Sequence, residues 1–392
     1  MYKNLLLAAL ITGAGSLTAC DSFVNDVNGP VDLVPSDSLD NPANLDFVIT
    51  GVQQRFATTH GTAVLLADGL SDAYLFADGT TGATFPTYIE IDDGEITLDN
   101  NSVDGLYTNV NELRFLADDL LARVTDRVEF RDGDEDLRDR AFFTAYFYGG
   151  VARYYLATYF GLEERRGGGT IDAGPFIPSA ELYAQAIERM TSALDYVDAG
   201  SREAKIVNSS IARVHLYNGN LDAAATFAAN GLAPGDAPFV AQYNAQSNNP
   251  VWIGAGRGRT QFAADARFGD DGDDLTPTEP YELDFIRQAV YLLDSDPIPF
   301  ISAEETSLIR AEAALDDGDD DGALAFINEA RGDRDDLDSV DLDVLIEQRD
   351  QILFTQGARL VDQRRFDLWH LGPNTWQYLP ITQTERNSNP NL

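Results

Sequence analysis

The chain has 392 residues, with 65 acidic side chains against 27 basic ones and a formal net charge of −38. Binding to nucleic acid or to anionic lipid needs positive potential, so both are excluded as principal functions. Cys20 is the only cysteine, so no intramolecular disulfide can form. Lysine occurs only at Lys3 and Lys205 and the acid is mostly Asp, a bias that resembles proteins of salt-loving organisms.

Residues 1–19 read as a lipoprotein signal peptide. Lys3 supplies a minimal positive start, and residues 5–17 are apolar but too short to span a bilayer. Leu17-Thr18-Ala19-Cys20 forms a lipobox, which makes Cys20 the expected lipidation site and new N-terminus. Acyl chains hold a protein to a membrane without any spanning helix. Residues 20–42, with Gly29-Pro30, Pro35 and Pro42 among Asp, Ser and Asn, read as a flexible tether. Residues 43–392 show no clean linker and read as one mostly helical, all-α body.

Helices are expected at 44–58 and 62–76. Residues 77–101, rich in Gly, Thr and Asp, read as loop with a short strand pair. Leu106, Val110, Leu113, Ala117, Leu120 and Val124 recur at three and four and predict an amphipathic helix over 103–128. The next helix, 137–160, carries a dense aromatic stripe that reads as core. Residues 161–178 read as a glycine-rich loop. Gly167-Gly168-Gly169-Thr170 lacks a preceding strand and a Gly-Lys-Ser/Thr, so it is no phosphate cradle. Ser179 is a candidate cap for a helix over 179–197. Residues 232–299 break the helical rhythm, and irregular segments of this length inside a compact body are commonly functional. A last core helix is expected at 342–354, followed by irregular closure over 373–392.

Two helical hairpins share a pattern. Gly219-Asn220-Leu221-Asp222-Ala223-Ala224-Ala225-Thr226-Phe227 matches Gly318-Asp319-Asp320-Asp321-Gly322-Ala323-Leu324-Ala325-Phe326. Gly ends the first helix, a short polar side chain caps the second, and a small Ala permits close approach. This is the spacing of a tetratricopeptide-type pair. A hairpin with one apolar side is incomplete alone and must stack on another.

The C-terminal third resembles the SusD/RagB family. Asp296-Pro297-Ile298-Pro299-Phe300-Ile301 leads into Glu304-Glu305-Thr306-Ser307-Leu308-Ile309-Arg310-Ala311-Glu312-Ala313-Ala314-Leu315 as that family's "PIpyiRlAEvyLiyAEAal" segment does. Ala323 to Arg331 is similar to "A...iN.iR", and Arg349 to Arg359 to "ER..El.fEG.R", with Asp350 where Glu is usual and Gln356 in place of the Glu before Gly357. Leu379-Pro380-Ile381 with Glu385 and Asn389-Pro390 resembles "lyPIP..E...NP", and Ala212 to Tyr217 resembles "kARvyLy". The resemblance implies a SusD-like fold, a surface-facing lipoprotein of the bacterial outer membrane, and a partner SusC-type TonB-dependent β-barrel transporter. It further implies capture of a nutrient, an oligosaccharide or a peptide, with no chemistry done on it.

No catalytic constellation stands out. His60, His215 and His370 lack ligand spacing, and no G-x-S-x-G occurs. Asp317, Asp319 and Asp321 match the start of an EF-hand loop as a candidate structural calcium site. The twelfth position, however, is Asn328 instead of a bidentate Glu. Asp270-Asp271-Gly272-Asp273-Asp274 is a similar acidic run. A sugar site needs aromatic faces and polar donors outside the helical core. Tyr74, Phe76, Phe85 and Tyr88 in the first irregular region, and Trp252, Arg257 and Arg259 in the second, are the candidates. Trp369 and Trp376 read as packing. A tetratricopeptide-like interaction scaffold and an all-helical glycoside hydrolase are the competing functions. At about 1 M salt the screening length is roughly 3 Å, so the self-repulsion of this charge predicts a melting temperature that rises from dilute buffer to molar salt. A salt series followed by calorimetry checks it.

Overall fold

The computed structural model describes residues 35–80, 82–269 and 290–392. The expected signal peptide, Cys20, most of the expected tether and the acidic run at 270–274 lie outside the described residues. The end of the tether stretch is already docked. Ser36–Asp40 form a 3-10 turn, and the buried Arg123 donates to the Ser36 carbonyl at 2.8 Å and to Asp40 Oδ1 at 2.7 Å.

The elements follow in chain order: α1 (Leu45–Leu70), β1 (Tyr74–Phe76), α2 (Pro86–Asp92), α3 (Asn101–Asp126), α4 (Glu135–Tyr159), β2 (Phe160–Glu163), β3 (Arg166–Gly169), β4 (Ile177–Pro178) and α5 (Ser179–Ala193). Then come α6 (Arg202–Tyr217), α7 (Leu221–Ala228), β5 (Phe239–Ala241), α8 (Pro250–Gly254), β6 (Phe262–Ala264), β7 (Ile298–Ile301) and α9 (Ala303–Asp316). The last are α10 (Asp320–Arg331), α11 (Leu342–Ile352), α12 (Arg359–Arg365), β8 (Leu379–Pro380) and α13 (Gln383–Ser388). The described residues are thus mostly helical, with short strands in three small sheets. No helix among them is long and apolar enough to cross a membrane.

Several local expectations are corrected. The two helices expected at 44–58 and 62–76 are one 26-residue helix, α1. Gly61 does not break it. A Cβ there would lie 2.5 Å from Pro250 Cδ and from Tyr243 Oη, so the glycine serves close packing under α8. Residues 161–178 are not simply loop but hold β2, β3 and β4, joined to β8 in the order β4-β3-β2-β8. The glycines hide this, because the pairing of β2 comes in part from a strand near the C-terminus, in parallel register with Phe160 opposite Leu379. Ser179 does not cap α5. Pro178 holds that position, and the Ser179 hydroxyl donates to the Ala157 carbonyl at 2.6 Å.

The two hairpins form as their pattern requires. Gly219 and Gly318 turn with φ of 77° and 75°, a conformation that costs glycine little. The next residue caps the second helix: Asn220 accepts from the Ala223 N–H and Asp319 from the Gly322 N–H. Ala224 and Ala323 are fully buried where the helices meet. Ile309 of the second hairpin enters the apolar cluster of Ala212, Leu216, Ala224 and Ala228 in the first, so the pairs do stack.

The aromatic stripe of α4 is core. Phe300, on β7, sits at its centre with edge-on contacts to Phe56, Tyr154, Tyr155 and Phe239 at 5.4–6.2 Å. Each such ring contributes about 1.5–3 kcal/mol by burial, and edge-to-face geometry adds to that. Two ion pairs are built into this interior. Arg213 grips Glu305 with both ends of its guanidinium, Nε to Oε1 at 2.6 Å, and also reaches the Phe300 carbonyl. Arg349 grips Asp362 at 2.8 and 3.0 Å. Glu305 and Arg349 thus belong to the packing of the body, and both come from the family-like segments.

Two buried groups set opposing pH dependences. His60 Nε2 donates to the Pro299 carbonyl at 2.8 Å, so its Nδ1 accepts from the Tyr155 hydroxyl at 2.9 Å and the ring is neutral. Burial lowers its pKa to about 3. The unfolded chain therefore binds a proton that the fold refuses, and this contribution to stability is lost as pH falls from about 6.5 towards 3. Asp68 is the reverse. Burial first, and then the fields of Asp350 and Asp72, push its carboxyl up to about 8 against the Gly357 N–H. The folded protein keeps a proton that the unfolded chain has released, so stability is full below about pH 4 and falls as pH rises through about 8. Asp68→Asn, which keeps the neutral shape, is expected to equal the parent near pH 4. By pH 8 it should exceed the parent by a few kcal/mol in urea unfolding.

Candidate functional site

The β1–β6 ribbon brings the two irregular regions side by side. Tyr74 lies opposite Ala264 and Phe76 opposite Phe262, in antiparallel register. Just before β6, the side chain of buried Gln261 works as a backbone clamp. Its Oε1 accepts from the Thr84 and Phe85 N–H groups at 3.0 Å each, and its Nε2 donates to the Gly82 carbonyl at 2.6 Å. The Phe85 loop is therefore fixed to the second region. Beneath it, Tyr88 packs on Phe85 at 5.7 Å and on Phe262 at 5.0 Å.

Arg259 completes this contact from the other side. Its guanidinium lies over the Phe85 ring, 4.1 Å from the centroid, and donates to Thr84 Oγ1 at 2.6 Å. Trp252 stands next to it on α8, whose start is capped by Asn249 Oδ1 accepting from Val251 and Trp252. The Trp252 indole donates to the Leu292 carbonyl at 3.3 Å. The Gly258 and Arg259 N–H groups return to the carbonyls of Trp252 and Ile253. Arg257, at the tip of that turn, is exposed and makes no ion pair among the described residues.

The base of this platform is held by charge. Asp72, just before β1, accepts from Arg267 at 2.9 Å and from Arg359 at 2.6 Å. Asp350 accepts from Arg267 at 2.6 Å and lies 3.4 Å from Arg359. Burial would raise Asp72, but the hydrogen bond from Arg359 and both guanidinium charges hold it below the ordinary carboxylate range. Asp350 is more enclosed, and its burial outweighs the same two cations and raises it.

The seven candidates therefore divide. Tyr74 is 1% exposed, wedged between Phe262 and Phe354, and lies inside the protein, away from any surface ligand. Phe76 and Tyr88 are half-buried supports. Phe85, Arg257 and Arg259 are exposed and Trp252 is half-buried, all on adjoining turns. Ile253 is exposed beside them, as are Leu292 and Leu293 on the turn that meets Trp252. Sequence reading missed Gln261, Asp72 and Arg267, whose role exists only through partners far away in the chain. The acid-rich turn does not form an EF-hand. Asp319 is occupied as a helix cap, Asn328 holds the backbone of Leu337, and no group of His, Cys, Asp or Glu among the described residues could hold a metal. Trp369 and Trp376 pack against the main core, and the Trp369 indole donates to Thr375 at 2.9 Å. The three histidines sit in separate places: His60 in the core, His215 on Phe227, and His370 beside Gln363.

Removing the clamp leaves three backbone groups without their partner, and a buried group stranded in this way costs about 1–3 kcal/mol. Gln261→Ala is expected to destabilise the protein by about 2 kcal/mol. It should also strip hydrogen-exchange protection from the Thr84 and Phe85 amides while leaving α9 protected.

No family model matches the sequence, and no curated protein matches it. Solved structures do match it in fold. A SusD superfamily protein from Bacteroides vulgatus superposes with a TM-score of 0.71 at 15% identity, over 90% of this chain and 98% of its own. A laminarin-binding SusD-like protein superposes at 0.67 and 14% identity, over 89% and 99%. A structure determined with xylogluco-oligosaccharide superposes at 0.61 and 14%, over 82% and 83%. With tetratricopeptide-type hairpins stacked at the C-terminal side and a loop platform over a helical core, the chain has the SusD-like fold.

Proposed function

We propose that this chain is a lipoprotein of the outer-membrane surface, anchored through Cys20. It captures an oligosaccharide on the Phe85–Trp252 platform and delivers it to a SusC-type TonB-dependent transporter. The observation that carries the reading is the exposed stack of Arg259 over Phe85 beside Trp252 and Arg257. Aromatic and guanidinium planes suit the C–H faces of sugar rings, and the N–H donors at their edges suit hydroxyl oxygens. The acidic surface disfavours a strongly anionic ligand. Two proteins of the same fold, one described as laminarin-binding and one determined with xylogluco-oligosaccharide, favour a glycan over a peptide here. Asp72 and Asp350 are both held by guanidinium groups, so these two carboxylates serve the support of the platform.

Calorimetric titration of the full chain with laminarin and xyloglucan oligosaccharides tests the reading. One of these neutral glycans should bind without being cleaved. Trp252→Ala and Arg257→Ala should each weaken it by about tenfold, or roughly 1.4 kcal/mol, with the melting temperature unchanged in Arg257→Ala and lowered in Trp252→Ala, whose indole also packs on the core. Binding that ignores both substitutions overturns the platform. Purification of the tagged lipoprotein from detergent-solubilised outer membranes should bring down one β-barrel partner, and a mixed set of soluble proteins would instead indicate a scaffold.

A further inference from the structure

A cleft lies apart from the platform. With a volume of about 960 Å3, it opens between the start of α1, the first half of α4, the turn after α5 and the start of α6. None of the platform residues lines it. Its floor is apolar and aromatic, made by Phe143, Phe147, Tyr148 and Phe239. One wall is Tyr196, held by stacking on Phe142 at 4.7 Å and 10°.

The acid of this cleft is only partly compensated. Arg140 pairs with Asp46, itself a lining residue, at 3.0 Å, and Arg202 donates to the carbonyls of Ala237 and Pro238. Asp136, Asp195, Asp198 and Glu203 line the opening without an ion pair among the described residues. Acidic side chains are common in this protein, and by themselves they would identify nothing.

Tyr148 is the second observation. Its ring is fixed against Phe56 at 5.1 Å and Phe147 at 5.2 Å, and the residue is only 5% exposed. Its hydroxyl has no hydrogen-bond partner among the described residues, and the residue faces the cleft. Burial pushes its pKa well above the ordinary value, so it is a neutral hydroxyl. The hydroxyl is not sealed from solvent, so a polar group of a ligand in the cleft can take the place of the water that bonds it.

We infer that this cleft is a second binding site, for a short peptide that carries basic side chains beside an apolar or aromatic one. The carboxylate rim takes the cations, the aromatic floor takes the apolar side chain, and the Tyr148 hydroxyl bonds the peptide backbone. The volume is at the upper end for small-ligand pockets, about 300–1,000 Å3, and is too small for a folded domain. The chain's own stretch 21–34 is a poor occupant, because it contains Asp21, Asp26 and Asp32 and no basic residue. A neutral sugar would gain nothing from the charge.

The test is calorimetric titration of the full chain with the amidated tripeptide Arg-Phe-Arg, and with Gly-Phe-Gly amide as the neutral control. Saturable one-site binding of the basic peptide is expected, with the neutral one at least tenfold weaker and affinity falling as salt rises. Tyr148→Phe removes only the unpartnered hydroxyl and should weaken binding about fivefold, and Asp198→Asn should flatten the salt dependence. Phe85→Ala, on the platform, should leave the peptide affinity unchanged while it weakens the glycan, which separates this inference from the glycan reading. Absence of saturable binding overturns the inference. So does equal affinity for the neutral peptide, or parental affinity in both Tyr148→Phe and Asp198→Asn.

Discussion

Four side chains from three separate stretches of the chain hold the base of the candidate site. Asp72 follows α1, Arg267 follows β6, Asp350 lies on α11 and Arg359 opens α12. They alternate in sign, so each carboxylate meets both guanidinium groups, and Arg267 meets Asp265 at 3.1 Å as well. An exposed pair would contribute about 0–1 kcal/mol. This cluster is partly enclosed and forked at several contacts, which strengthens it and also makes it fragile. Removing one member strands an opposite charge in a place that water reaches poorly. The platform strands are therefore anchored to the C-terminal helices, although no strand pairs with them.

The same logic explains residues that could be mistaken for a ligand site. Arg213, Glu305, Arg349 and Asp362 are buried, and each lies in or beside a segment with a family-like pattern. Their partners are one another. Breaking such a pair by removing one side costs about 3–5 kcal/mol, which is enough to keep the pattern in place for packing alone. Asp350 stands where the resembling family carries Glu, and the shorter side chain still reaches Arg267 at 2.6 Å. The exchange alters a reach and leaves the charge arrangement intact.

Much of the body was legible in the sequence because its signals are local. The hairpin at 318–322 announces itself through a glycine, a capping Asp and a small Ala within six residues. The stripe on α3 needs only its own spacing. The failures share a different cause. β2 is completed by a strand more than two hundred residues later, and Phe85 is positioned by Gln261 from 176 residues away. Neither Gly161 nor Gln261 carries a mark of that role in its neighbourhood. Tyr74 looked like a loop aromatic because a stretch rich in Gly, Thr and Asp follows close behind it. It lies instead on β1 of the ribbon and is buried. Composition pointed to both irregular segments, but neither their pairing through β1 and β6 nor which rings would meet water was legible.

The distribution of cations gives the last constraint. In a chain with 65 acidic and 27 basic side chains, an arginine has abundant carboxylates within reach, and most are taken. Arg259 instead spends its guanidinium on a phenyl ring and a threonine hydroxyl, and Arg257 has no ion pair among the described residues. Two under-neutralised guanidinium groups beside a half-buried indole form a surface that a surrounding negative field shields from anions. What can still approach is a molecule with many oxygen acceptors, flat apolar faces and no charge. The cleft beside Tyr148 is the opposite case, because Asp136, Asp195, Asp198 and Glu203 line it without an ion pair among the described residues. As proposed, the platform and the cleft would select by opposite electrostatics, so a ligand that suits one would be poorly suited to the other.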